Sequence, residues 1–245
     1  MTKTIAMWSG PRNISTAMMR AFENRSDTCV SDEPLYAHYL YHTGCPHPGA
    51  SEVIESQSTD WSQLTTELIQ PPQSGHPIWY QKHMTHHLLA GRSVDWIGRL
   101  TNCFLIRDPE AVVSSYTRTR DDATLEDLGY PQQLALFQRI WEETGETPLV
   151  LDARDVLMDP RAALAHLCRH VGIIMSEEML TWPAGPRDSD GVWGPHWYAN
   201  VCQSTGFQPY QPKVSAYHPR FAPIVAAARP MYAALARHRV RLSPS

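Results

Sequence analysis

The chain has 245 residues, a formal net charge of −4 and 42% hydrophobic residues, which is enough for one large α/β domain with a sizeable core. The negative charge argues against nucleic acid as a partner. The five cysteines form no C-x-x-C pair, which argues against a disulfide framework or a zinc site. No apolar run approaches the length of a membrane span, and the N-terminus lacks a secretory signal pattern. We therefore expect a cytoplasmic protein with no membrane partner.

Strand and helix patterns alternate along most of the chain. Short apolar runs predict strands at 4–8, 28–31, 78–81, 102–106 and 148–152. Helical patterns predict helices at 15–25, near 62–69, from about Thr85, and at 109–120, 131–144, 160–171 and 219–239, while 43–75 is otherwise irregular. The alternation predicts a three-layer α/β sandwich with a central parallel sheet in a single domain over 1–245.

The first strand ends in a turn that is typical of an anion site. The apolar run stops at 9–12, and a helical pattern begins at Ser15. Such a turn presents free backbone N–H groups and the positive end of the helix dipole to an anion. The sequence therefore predicts a phosphate or sulfate cradle made of Arg12, Asn13, Ile14, Ser15 and Thr16. The P-loop of ATPases needs a second glycine and a lysine that are missing here, and the alternative is an ordinary helix start with Ser15 as N-cap.

A second motif follows the strand at 102–106. Asp108 suits a helix N-cap and Pro109 suits the first helical turn, so Arg107 lies at the carboxyl end of the strand. Ser115 follows two helical turns later. Ligands of open α/β sheets bind at this edge, and the planar guanidinium of arginine binds phosphate oxygens in pairs. The alternative is a surface salt bridge at a helix start.

These two motifs together resemble a known family. The turn with Arg12, Ser15 and Thr16 resembles the 5′-phosphosulfate loop of sulfotransferases that use 3′-phosphoadenosine 5′-phosphosulfate (PAPS), with departures at Asn13 and Ile14. Arg107 with Ser115 resembles the element that binds the 3′-phosphate in those enzymes.

The resemblance extends over essentially the whole chain. The segments 7–19 (MWSGPRNISTAMM), 32–40 (DEPLYAHYL) and 191–198 (GVWGPHWY) are similar to a bacterial and plant group of sulfotransferase-like proteins. That group carries the label branched-chain-aminotransferase-like, because its plant versions are fused to such a domain. The resemblance implies a P-loop NTPase-like (sulfotransferase) fold, PAPS as donor, PAP as product and no metal.

The general base is left open by the sequence. Lys82 follows the strand at 78–81 and is a candidate cation near the leaving phosphate. In many sulfotransferases a histidine two residues after such a lysine is the base, but here that position is Met84. The candidates are Glu33 at the end of the second strand, since sulfotransferases that act on carbohydrates often use a glutamate near there, and His83 and His86 in a histidine cluster. A mechanism without a dedicated base is the remaining alternative.

The segment 181–218 is rich in aromatic residues, proline and glycine. We expect it to form an ordered lid or wall over the site, since disordered segments contain few aromatic residues; a surface loop anchored by aromatic residues is the alternative. Lys213 in this segment is a further candidate for cofactor binding. The aromatic content favours a small, partly apolar acceptor.

Three functions remain possible at this point. The resemblance implies a sulfotransferase that moves a sulfuryl group from PAPS to a hydroxyl or amine of a small-molecule acceptor by in-line displacement. A P-loop kinase or nucleotide hydrolase using ATP–Mg²⁺ is the first alternative, with Asp152 as a possible carboxylate for Mg²⁺. A non-catalytic nucleotide-binding module is the second. The sequence leaves the acceptor and the oligomeric state open.

Overall fold

Five parallel strands form the central sheet of the computed structural model, which describes residues 2–212 and 216–242. The strands are β1 (Lys3–Ser9), β2 (Thr28–Asp32), β3 (Ile78–Met84), β4 (Thr101–Ile106) and β5 (Leu149–Asp152). Their order is β2-β3-β1-β4-β5, and every neighbouring pair is parallel. The carboxyl ends of all these strands therefore lie at one edge, where α/β proteins bind ligands.

Helices cover both faces of this sheet. They are α1 (Ser15–Glu23), α2 (Tyr36–Thr43), α3 (Ala50–Ser56), α4 (Trp61–Leu68), α5 (Pro109–Tyr116), α6 (Tyr130–Thr144), α7 (Ala153–Met158), α8 (Pro160–Val171), α9 (Gly194–Trp197), α10 (Ala199–Cys202) and α11 (Ala222–Ala236). Apolar residues of α1 and α8 pack on one face of the sheet, and those of α4, α6 and α11 pack on the other. The predicted three-layer α/β sandwich with a parallel sheet is confirmed.

Side-chain alternation in the strands decides which face each residue occupies. In β1, Ile5 and Met7 lie in the core under α1, whereas Ala6 and Trp8 lie in the core under α6. In β3 the same alternation separates Lys82 from His83. None of the described helices has the length and hydrophobicity that crossing a bilayer requires.

Two parts of the predicted helix pattern differ from the structure. The helix expected from about Thr85 is wrong, because only one 3₁₀ turn forms, at Thr85–His87. The Thr85 hydroxyl donates to the carbonyl oxygens of Ser9 and Gly129, and this tertiary packing outweighs the local pattern. The helices α2 and α3 fall in a region for which no helix was predicted. Burial of α2 on most sides hides the apolar periodicity that would have indicated it.

The C-terminal helix is shorter than predicted, and the aromatic segment has more regular structure than the sequence indicated. A 3₁₀ turn at Pro219–Phe221 precedes α11, which ends at Ala236 rather than near 239. Within 181–218 lie the short helices α9 and α10, and a bridge between Thr181 and Gly206. Lys213 lies outside the described residues.

A buried ion pair fastens the aromatic segment to α1. The guanidinium of Arg20 is 2.6 Å from Oδ2 of Asp190 and 3.1 Å from Oε2 of Glu23. The Arg20 side chain is 1% exposed, and that of Asp190 is 7% exposed. Because both charges are withdrawn from water, removing one partner is far more costly than it would be at the surface.

We expect Arg20→Met to lower the free energy of unfolding by about 3 kcal/mol, because it leaves the Asp190 carboxylate buried without its cation. Urea unfolding followed by circular dichroism measures this loss. Arg139→Met is the matched control, since Arg139 pairs with Asp95 and Glu143 on the surface and its loss should change stability little. Equal effects of the two substitutions would contradict an anchoring role for Arg20.

Candidate active site

A cavity of about 330 Å³ opens at the carboxyl edge of the sheet. It is bordered by the turn after β1, the residues that follow β2 and β3, the helix α5 and part of the aromatic segment. Its volume lies at the lower end of the range for small-molecule sites. The residues that line it form two ends of different chemistry.

The turn between β1 and α1 forms one wall of the cavity in an uncommon backbone conformation. Arg12 has φ 62° and Ile14 has φ 58°, both in the left-handed region. Ile14 is the N-cap of α1 and makes no side-chain hydrogen bond to it, so the cap residue leaves the N–H groups of the first turn available. Ser15 is the first helical residue, so the alternative that it acts as an N-cap is wrong. The open helix end is suited to an anion.

Two residues fix this turn in place. A Cβ atom at Gly10 would lie 2.4 Å from the carbonyl oxygen of Leu128, so only glycine fits this close approach. The side-chain amide of Asn13 donates to the carbonyl oxygen of Leu105 at 3.1 Å and ties the turn to β4. Asn13 is one of the two positions at which the sequence departs from the sulfotransferase loop. The same residue holds the turn through its side chain.

Arg12, Arg107 and Ser115 meet beside this turn. Together with the two hydroxyl residues at the start of α1 they form what we call the arginine end of the cavity: Arg12, Ser15, Thr16, Arg107 and Ser115. Nε of Arg12 donates to Oγ of Ser115 at 3.0 Å. The guanidinium of Arg107 donates to the backbone carbonyl of Arg12. The structure therefore brings together residues that are about 100 positions apart in the chain.

The two guanidinium groups have no acidic partner in the described part of the chain. Among the residues that the structure describes, neither Arg12 nor Arg107 forms an ion pair, so the surface salt bridge considered for Arg107 is not observed. Asp108 instead accepts hydrogen bonds from the first turn of α5, as its N-cap. Burial lowers the pKa of Arg107, and burial together with the charge of Arg107 lowers the pKa of Arg12. Two adjacent, partly buried cations without a carboxylate favour binding of an anion.

A second group of side chains is buried around Lys82. We call these charged and polar residues the Lys82 cluster: Asp32, Glu33, Lys82 and Tyr198. Nζ of Lys82 lies 2.7 Å from Asp32 Oδ1, 2.6 Å from Glu33 Oε1 and 2.6 Å from the Tyr198 hydroxyl. Burial lowers the pKa of Lys82, but the two carboxylates more than reverse this and raise it. Its three donors are satisfied inside the protein, so Lys82 is not the free cation that the sequence suggested.

Tyr198 reaches this cluster from the aromatic segment. Its hydroxyl donates to Asp32 Oδ2 at 2.7 Å and accepts from the indole N–H of Trp193 at 3.0 Å. The backbone N–H of Gly191 also donates to Asp32 Oδ2, at 3.2 Å. Part of the segment 181–218 thus forms a wall of the cavity. Sequence reasoning missed Tyr198, although the aromatic segment that contains it was recognised.

The two carboxylate oxygens of Glu33 have different neighbours, since Oε1 accepts from Lys82 and Oε2 does not. Its Oε2 lies 4.0 Å from Nε2 of His87, and the residue lines the cavity. Its backbone has φ 42°, a left-handed conformation that is rare for a glutamate. Burial raises the pKa of Glu33 above its ordinary value, and Asp32 adds to this, while Lys82 opposes it. A carboxylate in this setting is a stronger base than one in water.

The candidate histidines occupy different places. His83 faces away from the cavity: its ring stacks on Trp8 with 4.2 Å between centroids, and its Nε2 lies 3.0 Å from Gln81 Oε1. His86 lines the cavity, as does His87, which the sequence analysis did not select. Burial lowers the pKa of His86 to about 3 and holds the pKa of His87 well below its ordinary value. The alternation of side chains along β3 places His83 and Lys82 on opposite faces of the sheet, and this pattern could have excluded His83 from the sequence alone.

The fold is an α/β fold of P-loop-like architecture, with a cavity at the carboxyl edge of its sheet. Residues 3–239 match the sulfotransferase domain family, and the chain belongs to this family. The sulfotransferase domain of the Synechococcus PCC 7002 olefin synthase shares the fold, with a TM-score of 0.57, 17% identity and 95% of both chains covered.

Two curated relatives come from Arabidopsis thaliana. Branched-chain-amino-acid aminotransferase-like proteins 1 and 2 are 35% and 31% identical to the chain over 205 residues, which is 84% of this chain. The chain spans 36% of the length of each of these relatives. The resemblance found in the sequence is confirmed.

Proposed function

We propose that the protein transfers a sulfuryl group from PAPS to a hydroxyl or amine of a small-molecule acceptor. The observation that carries the proposal is the arginine end, where Arg12 contacts Ser115 and Arg107 contacts the backbone of Arg12 beside the open N-terminus of α1. PAPS has two separate anionic parts, the 5′-phosphosulfate and the 3′-phosphate. The site offers two groups of donors to match them.

Each donor group has a distinct proposed ligand. The helix end, Arg12, Ser15 and Thr16 would hold the 5′-phosphosulfate. Arg107 and Ser115 would hold the 3′-phosphate that distinguishes PAPS from other adenine nucleotides. These groups supply the positive charge that kinases take partly from Mg²⁺.

The residue considered for a kinase mechanism has another role. Asp152 accepts hydrogen bonds from the backbone N–H of Arg154 at 2.8 Å and from the Tyr232 hydroxyl at 2.7 Å. It caps α7 and does not line the cavity. Its placement gives no support to the kinase alternative.

In the proposed reaction, the acceptor oxygen or nitrogen attacks sulfur, and the bond between sulfur and the 5′-phosphate oxygen breaks. Oε2 of Glu33 takes the acceptor proton. Arg12 and the N-terminus of α1 stabilise the negative charge that develops on the leaving phosphate. Lys82 holds Oε1 of Glu33 and favours its ionised form, so Lys82 positions the base rather than contacting the leaving group. Neutral His86 and His87 lie nearby but are weak bases.

Calorimetric titration with PAP, ADP and ATP–Mg²⁺ tests the donor. We expect PAP to bind at least about tenfold more tightly than ADP, since charged hydrogen bonds to the 3′-phosphate contribute about 1.5–3 kcal/mol. Tighter binding of ATP–Mg²⁺ would favour a kinase-like enzyme, and binding of none of the three would favour a non-catalytic role.

Arg107→Ala should weaken PAP binding roughly 10- to 100-fold and AMP binding far less, because the charged contact that it removes from the ligand is to the 3′-phosphate, which AMP lacks. Arg12→Ala should weaken both ligands. Arg169→Ala is the control, because Arg169 lies exposed near the end of α8 and does not line the cavity. Equal losses for PAP and AMP in Arg107→Ala would contradict the assignment and indicate a general distortion of the turn.

A further inference from the structure

Part of the cavity wall is built from flat aromatic and imidazole rings. We call Tyr36, His47, His86, His87 and Trp197 the acceptor wall, and all five line the cavity together with Glu33. The Tyr36 ring stacks on His87, with 4.7 Å between centroids and 8° between planes. The Tyr36 hydroxyl lies 2.6 Å from Nδ1 of His47, and Trp197 contacts His47 edge-on. These contacts fix the orientation of the rings before any ligand binds.

Within residues 2–212 and 216–242, the acceptor wall offers no positive charge to a ligand. Lys82 is 0% exposed and is paired with two carboxylates, Asp32 and Glu33, so its ammonium group is not available to a ligand. Burial, and secondarily the charge of Arg120, lowers the pKa of His47 to about 4, so this ring, like His86, is neutral at pH 7. Arg120, the arginine whose charge reaches His47, is paired with Asp122 at 2.9 Å.

An anionic group on the acceptor would therefore lie in a partly buried region where the described residues supply no counterion beside the acceptor wall. Burying an unpaired charge is costly, and Glu33 would repel it in addition. A flat apolar body, in contrast, matches the rings of Tyr36 and Trp197 in shape and polarity. We propose that the acceptor is a phenol or aryl alcohol without an anionic substituent, and that ring-bearing acceptors with a carboxylate are rejected; this rests on the proposed sulfotransferase function.

Two matched pairs of acceptors test the proposal. 4-Ethylphenol is compared with 3-(4-hydroxyphenyl)propanoate, and 2-phenylethanol with 4-(2-hydroxyethyl)benzoate, each with PAPS. PAP binding is measured first by calorimetry, and PAP formation then gives kcat/KM for each acceptor. We expect at least one uncharged acceptor to be sulfated, with a kcat/KM at least about tenfold above that of its carboxylate partner.

The outcomes separate the two proposals. Failure of PAP to bind overturns the sulfotransferase function and the acceptor class with it. PAP binding with equal or faster turnover of the carboxylates, or without turnover of either uncharged acceptor, overturns the acceptor class and leaves the donor assignment intact.

A pair of tyrosines on α2 provides a control for the ring contact. Tyr36 lies in the acceptor wall, whereas Tyr41 is 60% exposed on the same helix. Tyr36→Leu should raise KM for the uncharged acceptor several-fold with an unchanged Kd for PAP, and Tyr41→Leu should change neither. An unchanged KM in Tyr36→Leu would argue against the ring contact and overturn the proposal.

Discussion

Glu33→Gln is expected to lower kcat by about 10²- to 10⁴-fold, the usual contribution of a general base. Glutamine keeps the shape of the side chain and an oxygen that accepts from Lys82, but it cannot take the acceptor proton. PAP affinity should stay unchanged, because Glu33 belongs to the Lys82 cluster and not to the arginine end. Steady-state rates with PAPS and calorimetry with PAP measure the two quantities.

The pH dependence provides a second readout for Glu33. Only the ionised carboxylate accepts a proton, so kcat should rise with pH through the pKa of Glu33. Burial raises that pKa above the ordinary value of about 4.3, which moves the acid limb of the profile upward. Glu33→Gln should remove this limb. Glu67→Gln is the control, since Glu67 is exposed on α4. Full activity of Glu33→Gln would contradict the assignment of Glu33 as the general base. It would mean that the reaction uses another base or none.

Lys82→Met is expected to lower the free energy of unfolding by about 5 kcal/mol, near the upper end for breaking a buried charge pair. The Lys82 side chain is 1% exposed, and its loss leaves Asp32 and Glu33 buried beside each other without a cation. Methionine retains most of the volume, so the loss comes from the charge rather than from a cavity. Urea unfolding measures it.

The loss in Lys82→Met should shrink as pH falls. Burial raises the pKa of Glu33, and without the ammonium this rise is no longer opposed, so protonation of Glu33 stabilises the folded variant as pH falls below the raised pKa. Lys3→Met is the control, since Lys3 is exposed at the start of β1 and should tolerate the change. A loss in Lys82→Met as small as that in Lys3→Met would contradict a stabilising role for the Lys82 cluster.

The arginine end was predictable because its parts are local. The turn at 9–16 and the strand end at Arg107 are each encoded within a few residues by the change from strand to helix pattern. That both meet at one edge follows from the parallel sheet, in which β1 and β4 are neighbours. The detail that remained hidden is the direct contact of Arg12 with Ser115, which depends on side-chain directions in the folded turn.

The Lys82 cluster was only partly predictable. Lys82 and Glu33 were selected separately, but their pairing depends on the register of β2 and β3, in which Asp32 lies opposite Lys82. Local pattern does not determine register between strands that are 50 residues apart. The same holds for Tyr198, which joins the cluster from 116 residues beyond Lys82.

The sequence by itself determined the family, the α/β architecture and the position of the turn between β1 and α1, because these depend on short motifs and on the alternation of strands and helices. Only the tertiary structure decided that Lys82 is enclosed by two carboxylates, that His83 faces away from the cavity, and that His87 and Tyr198 border it. The physical reason is that burial and long-range pairing set the charge, the pKa and the orientation of a side chain. Neither burial nor long-range pairing can be read from the residues next to it in the sequence.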